Sequence, residues 1–100
     1  MLMPIHQDPE DSEITALREY AGDLSGKTVL EVGCGDGRLT FRYAAQAALV
    51  HAIDPAEKQI AKARRKLPGA LQDKVEFWAT GIETFLAPQK YDLALLSWSL

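Results

Sequence analysis

The fold of this chain is indicated by one stretch of sequence, VLEVGCGDG, at residues 29–37. It joins a short apolar run to three glycines, Gly33, Gly35 and Gly37. The apolar run predicts a buried strand over residues 28–32. Glycine in the turn allows positive φ angles and a close approach of ligand to backbone, and a helix predicted over residues 38–48 would begin with unpaired N–H groups. Together these features predict a ligand-binding turn between a strand and a helix.

Working outward, strands and helices alternate along the chain. Further strands are predicted at residues 49–53, 74–78 and 91–97, with a short helical turn at residues 81–85. Helices are predicted from Asp8 to the Ser25-Gly26 pair, and from Asp54-Pro55 to Pro68-Gly69. This alternation predicts an α/β fold, a Rossmann-like parallel sheet with helices on both faces.

Composition is that of one small globular domain. The chain has 100 residues, 47% of them apolar and 25% charged, with a formal net charge of −3. That charge makes nucleic acid an unlikely partner, and the basic residues of residues 58–66 are expected to form a solvated helix face. The single cysteine, Cys34, excludes an internal disulfide, fits a cytoplasmic location and argues against a metal site built on several thiolates. No apolar stretch is long enough to predict a membrane span.

An acidic residue follows the second predicted strand, at a sequence spacing from the glycine turn that is typical of cofactor-binding folds. Asp54 lies 21 residues after Gly33, close to the roughly 20-residue spacing at which an acid binds ribose hydroxyls in dinucleotide-binding folds. The dinucleotide fingerprint would require glycine where this chain has Arg38. The spacing therefore predicts an adenosine-bearing cofactor and disfavours NAD.

VLEVGCGDG resembles the first motif of class I S-adenosylmethionine-dependent methyltransferases. The resemblance continues through HAIDPA, VEFWATGIETF and YDLALLSWSL, and covers residues 16–100. It implies a methyltransferase that uses S-adenosylmethionine and a sheet containing strands 3-2-1-4 of a seven-stranded fold. The chain is then a single methyltransferase domain over residues 1–100, with an N-terminal helix region at 1–25 and a core at 27–100.

The resemblance also implies a set of cofactor-binding residues. Glu31 would orient the ammonium group, Asp54 would bind the ribose hydroxyls, and Ser97 would offer its backbone carbonyl to the ammonium group. Many relatives carry Asp where this chain has Gly81, and Glu83 is a candidate substitute. The complete expected set is Glu31, Gly33, Cys34, Gly35, Gly37, Asp54, Pro55, Gly81, Ile82 and Ser97.

Several alternatives stay open at this point. Asp54 precedes a proline at a helix start, so it also suits a helix cap. Cys34 fits the role of a small buried residue better than that of a nucleophile. Trp98 fits a position either in the core or at the acceptor pocket. The chain is alternatively a non-catalytic or truncated cofactor-binding module, an NAD-dependent oxidoreductase or an aminopropyl transferase. The residues identify neither the methyl acceptor nor a general base, and they indicate no metal.

The apolar strand at residues 91–97 is expected to pair with the first predicted strand on one side and with nothing on the other. Such an edge invites pairing with another chain. We therefore expect that the domain is incomplete at its C-terminus, and that alone it self-associates through this edge and transfers no methyl group.

Overall fold

A computed structural model describes residues 2–6 and 24–98, with side-chain environments over residues 24–97. Within these residues the strands are β1 (Leu2–His6), β2 (Thr28–Val32), β3 (Leu49–Ile53), β4 (Val75–Trp78) and β5 (Leu93–Trp98). The helices are α1 (Thr40–Tyr43) and α2 (Glu57–Lys66), and a 3-10 helix lies at Gly69–Leu71. Neighbouring strands are all parallel, in the order β1-β5-β2-β3-β4. The predicted α/β class and the predicted order of the last four strands are confirmed.

The outer side of β5 differs from the prediction. β1 pairs with it, with Leu2 opposite Ala94 and His6 opposite Trp98. The expectation of an unpaired edge is wrong because residues 2–6 form a strand that supplies partners for its backbone groups. These residues lie in the predicted N-terminal helix region, before the helix predicted from Asp8, and the strand there was not predicted. Pro4 suits β1, since a strand at the edge of a sheet tolerates a residue without an N–H group. Self-association stays a prediction, but the unpaired β5 edge on which it was based does not exist.

The helix after the glycine turn is shorter than predicted. The sequence predicts it over residues 38–48, whereas α1 ends at Tyr43 and tight turns follow. The reason is tertiary, because the N–H of Ala48 donates to the Lys27 carbonyl at 2.8 Å and draws the chain back toward the sheet. The ammonium group of Lys74 also binds the carbonyls of Ala45 and Ala47, at 3.1 and 2.9 Å. These contacts override the helix propensity of an alanine-rich segment.

The other predicted helices have different outcomes. The N-terminal one lies outside the described residues except for its end, where Lys27 donates its N–H to the carbonyl of the buried Leu24. α2 forms as predicted, with Ile60 and Ala63 buried. Its basic residues are exposed, although the Arg64 guanidinium binds the carbonyl of Phe77 at 2.6 Å. The described part of the chain contains no helix long and apolar enough to cross a membrane.

Both helices pack on the same face of the sheet. Alternate strand residues join them in one buried core, whose members include Val29, Tyr43, Val50, Ala52, Ile60, Ala63, Phe77, Leu93 and Leu95. Helices on the opposite face stay a prediction. The common direction of the strands brings the ends of β2, β3, β4 and β5 to one edge, where the glycine turn, Asp54 and residues 79–85 follow. Ligands bind at this carboxyl edge in open α/β sheets.

Candidate functional site

The glycine turn after β2 is shaped by contacts that exclude larger residues. Gly33 has a φ of 84°, and a Cβ atom there would lie 2.1 Å from the backbone oxygen of Ser97 at the end of β5. Gly37 has a φ of 86°, and a Cβ atom there would lie 2.8 Å from the ring of Phe41. Both positions therefore require glycine, one to let two strand ends meet and the other to let α1 pack.

The N–H groups of the turn are used within the protein. Gly33 and Cys34 both donate to the Ile53 carbonyl, at 2.8 and 3.2 Å. Gly35 donates to a carboxylate oxygen of Asp54 at 3.0 Å, and Gly37 donates to the Cys34 carbonyl at 3.1 Å. These N–H groups of the turn are therefore not available to a ligand, and the expectation of unpaired N–H groups at the start of the following helix is a separate one. The turn instead lies next to two carboxylates, those of Glu31 and Asp54.

Glu31 is the first of these carboxylates, and it is completely buried on β2. Its Oε1 accepts hydrogen bonds from the hydroxyls of Thr40 and Tyr43, both at 2.7 Å. Its Oε2 is buried and has no hydrogen-bond partner among the described residues. Leaving a buried carboxylate oxygen unpaired is unfavourable. Glu31 therefore has a free acceptor beside the glycine turn.

Burial is the largest influence on the pKa of Glu31 and raises it above the usual value. Hydrogen bonds from Tyr43, Thr40 and Ser97 act in the opposite direction, and the charge of Asp54 raises the pKa further. The carboxylate is thus held between desolvation, which favours the neutral acid, and hydroxyl donors, which favour the anion.

Asp54 is the second carboxylate and connects two loops. It follows β3, and its Oδ2 accepts the N–H of Gly35 while its Oδ1 accepts the N–H of Ala56 at 2.8 Å. α2 begins at Glu57 with Ala56 as its N-cap residue and no side-chain cap, so Asp54 is not the N-cap residue of that helix. A carboxylate has about four lone-pair sites, and these two bonds leave acceptor capacity on both oxygens for a ligand.

The remaining predicted residues divide into two groups. Cys34 is buried in the turn, and burial raises the pKa of its thiol, which fits a packing residue rather than a nucleophile. Ser97 is buried with its carbonyl against Gly33. Pro55 and Ile82 are exposed and lie on the loops after β3 and β4. The structure thus brings together the residues of the turn and the strand ends, whereas the predicted adenine-side residues stand on separate loops. The side chain of Trp98 lies outside the described residues.

The loop after β4 carries the carboxylate of Glu83 close to Gly81. A Cβ atom on Gly81 would lie 2.5 Å from Oε1 of Glu83. The Glu83 carboxylate therefore occupies the space that a side chain at position 81 would take.

An open pocket of about 410 Å³ is formed by the end of β4 and the residues that follow it. Its lining residues are Trp78, Ala79, Thr80, Thr84, Phe85, Leu86 and Pro88. None of the predicted cofactor-binding residues lines it. We assign the site from the carboxylates beside the glycine turn, because Glu31 and Asp54 have unused acceptor capacity. The hydroxyls of Thr80 and Thr84, in contrast, already bind each other at 2.8 Å.

Thr40 and Tyr43 were missed as site residues. A signal for them exists in the sequence, since residues three apart on a helix share one face. A glutamate predicted in a buried strand needs hydrogen-bond donors, and the following helix carries two hydroxyls at that spacing.

Comparisons with known proteins identify the family of the chain. A family model described as methyltransferase domain matches residues 29–100. A ubiquinone biosynthesis O-methyltransferase from Bordetella parapertussis is 44% identical over 80 residues, which cover 77% of this chain and 32% of that protein. One of the same name from Leptothrix cholodnii is 33% identical over 92 residues, covering 90% of this chain and 39% of that protein. The chain thus spans about a third of the length of these curated relatives.

Solved structures resemble the fold. A magnesium protoporphyrin IX methyltransferase from Synechocystis PCC 6803 with bound S-adenosylmethionine has a TM-score of 0.68 and 28% identity, over 85% of this chain and 41% of that one. An S-adenosylmethionine-dependent methyltransferase from Mesorhizobium loti has a TM-score of 0.71 and 26% identity, over 85% of this chain and 39% of that one.

Proposed function

Because the chain belongs to the methyltransferase domain family, we propose that it binds S-adenosylmethionine at the carboxyl edge of the sheet and transfers the methyl group to an acceptor. The observation that carries the proposal is the buried, unpartnered Oε2 of Glu31 beside the glycine turn. A buried anionic acceptor fits a ligand with an ammonium group, because the pair satisfies both groups at once.

The residues present fit this cofactor. Glu31 would accept a hydrogen bond from the ammonium group, and the Ser97 carbonyl is a second acceptor near the turn. Asp54 would use its remaining lone pairs for the ribose hydroxyls. The turn at Gly33 and Gly35 would let the methionine part lie against backbone. Pro55 and Ile82 would flank the adenine, with the Glu83 carboxylate accepting from its amino group.

When bound, S-adenosylmethionine supplies an electrophilic methyl group on a sulfonium. The role of this chain's residues is to hold the amino-acid and ribose ends in place, so that the methyl group faces one direction. No general base is assigned among the described residues. A cytoplasmic location is part of the proposal, since the single cysteine forms no disulfide within the chain.

We propose an oxygen atom as the acceptor, of the hydroxyl type found on ubiquinone precursors. Support comes from the names of the relatives, which are ubiquinone biosynthesis O-methyltransferases in several bacteria. A transfer assay with labelled cofactor tests this by comparing hydroxylated quinone precursors with amine acceptors. Methylation of amines alone would contradict it, and cofactor binding without any transfer would favour the non-catalytic module.

Calorimetry tests the cofactor assignment with S-adenosylhomocysteine, the demethylated product, and NAD. We expect binding of the first and none of the second. Glu31→Gln should weaken binding at least about tenfold, because a charge-assisted hydrogen bond is lost without a change of shape. Glu76→Gln is the matched control, since Glu76 is exposed on β4 and should leave the affinity unchanged. Tighter binding of NAD than of S-adenosylhomocysteine would overturn the proposal.

A further inference from the structure

The hydrogen bonds of Glu31 are unevenly divided between its two oxygens. Oε1 accepts two hydroxyls, from Thr40 and Tyr43, each at 2.7 Å, and Oε2 accepts none. Tyr43 is itself 2% exposed, and Thr40 is fully buried. These two residues therefore fix one oxygen of the carboxylate, Ser97 also acts on the group, and Oε2 is buried with no hydrogen-bond partner among the described residues.

No positive charge among the described groups around Glu31 compensates the negative charge of its carboxylate. The groups that act on it come from every element packed against it in the described structure. They are Thr40 and Tyr43 on α1, Cys34 in the glycine turn, Asp54 after β3 and Ser97 on β5. None of these groups is a cation, and Asp54 carries the same charge as Glu31. Without a ligand, the anion depends on hydroxyl donors alone, because burial favours the neutral acid.

We propose that Thr40 and Tyr43 are positioning residues of the cofactor site, whose hydroxyls hold Glu31 as an anion and direct its free oxygen to the ammonium group of S-adenosylmethionine. This inference rests on the proposed function. It makes cofactor binding and the ionisation of Glu31 a single linked event. Where Glu31 is protonated in the free protein, binding breaks its O–H bond, releases that proton to solvent and leaves a carboxylate paired with the ammonium group.

The linkage has a defined sign. Affinity for the ligand should rise with pH as Glu31 ionises in the free protein, and should then become constant. Loss of the Tyr43 hydroxyl removes an effect that lowers the pKa of Glu31, so the rise should move to higher pH. One hydrogen bond to a charged group corresponds to a displacement of about one pH unit, or about tenfold in affinity on the rising part of the curve.

The experiment measures S-adenosylhomocysteine binding by calorimetry across a pH series, from acidic to mildly alkaline. Tyr43→Phe and Thr40→Val remove the hydroxyls with little change of shape, and Thr40→Ser restores one. Tyr91→Phe is the matched control, because the Tyr91 hydroxyl binds His51 rather than Glu31, at 2.6 Å. Methylthioadenosine, which lacks the amino-acid part, is measured in parallel with each variant.

We expect Tyr43→Phe and Thr40→Val to shift the pH dependence of S-adenosylhomocysteine affinity to higher pH by about one unit. Both variants should approach wild-type affinity at the alkaline end of the series and bind methylthioadenosine with wild-type affinity. Thr40→Ser should return most of the lost affinity. An equal loss at every pH, or an equal loss for methylthioadenosine, would overturn the positioning role in favour of a purely structural one. If wild type binds S-adenosylhomocysteine and the variants match it throughout, only this inference fails. If wild type does not bind it, the proposed function fails as well.

Should Tyr43→Phe fail to fold, the comparison of Thr40→Val with Thr40→Ser decides the question, since the two differ in whether the hydroxyl is present. Buffers of different ionisation enthalpy add a second readout, the number of protons released on binding. Wild type should release protons at acidic pH, and the Tyr43→Phe variant should still release them at higher pH. No proton release at any pH would contradict the linkage.

Discussion

Substitution of Gly33 by alanine should damage both the fold and the site. The new Cβ atom would lie 2.1 Å from the Ser97 backbone oxygen, well inside the 3.0 Å that real Cβ contacts respect, and the contact is with backbone that cannot rotate away. The ends of β2 and β5 would have to separate by about 1 Å, a form of overpacking that costs roughly 1–3 kcal/mol. The positive φ of 84° adds about 1–2 kcal/mol for a residue with a Cβ atom.

The expected total for Gly33→Ala is therefore about 2–5 kcal/mol of the free energy of unfolding. Two other glycines separate the contributions. Gly26 has a φ of 74° and nothing within 4 Å of its Cβ position, so Gly26→Ala reports the backbone cost alone. Gly69 has open space and no positive φ, so Gly69→Ala should be neutral or stabilise by up to about 1 kcal/mol.

Denaturant unfolding of the three variants, with S-adenosylhomocysteine calorimetry on each, checks this ranking. Gly33→Ala should be the least stable and should also bind the ligand most weakly, because the Ser97 carbonyl is displaced. If Gly33→Ala were no less stable than Gly26→Ala, the close approach of β2 and β5 would not be a constraint, and the steric reasoning would be refuted.

Further predictions concern the carboxylates at the two ends of the sheet. Asp54→Ala should weaken S-adenosylhomocysteine binding by roughly 1.5–3 kcal/mol, measured by calorimetry. It should also lower the melting temperature, because both Asp54 oxygens accept backbone N–H groups. Unchanged affinity together with lower stability would mean that the role of Asp54 is purely structural. The backbone N–H of Thr28, together with its hydroxyl, lowers the pKa of Asp92 below its usual value. The stabilisation from Asp92 should be fully present above the ordinary pKa of an aspartate and be lost as the pH falls through the lower folded pKa. Unfolding of Asp92→Asn over an acidic pH series should therefore converge with wild type at low pH, and a constant difference would contradict this assignment.

Much of the fold follows from local pattern. The strands at residues 28–32 and 49–53 occur where apolar runs lie between breakers, and α2 occurs where apolar residues recur at helical spacing. Local pattern failed for α1 and β1. α1 stops early because a lysine from another loop and a backbone bond to Lys27 close the segment. β1 forms because β5 lies beside it. The pattern of five residues cannot indicate a pairing with a strand that lies more than 85 residues away in the sequence.

In the candidate site, too, some features follow from the sequence pattern and others depend on tertiary contacts. Gly33, Gly35 and Asp54 are recognisable from spacing, because a turn after a buried strand and an acid after the next strand lie at one edge of any parallel sheet. The sequence by itself therefore determined the fold class and the family, and it indicated the edge where we propose that the cofactor binds. Only the tertiary structure decided which groups at that edge are already bonded. In it, the turn N–H groups donate to acceptors within the protein, and the Glu83 carboxylate lies close to Gly81. Two hydroxyls donate hydrogen bonds to one oxygen of Glu31. Hydrogen bonds between distant residues depend on distances of a few tenths of an ångström, and spacing along a chain does not contain them.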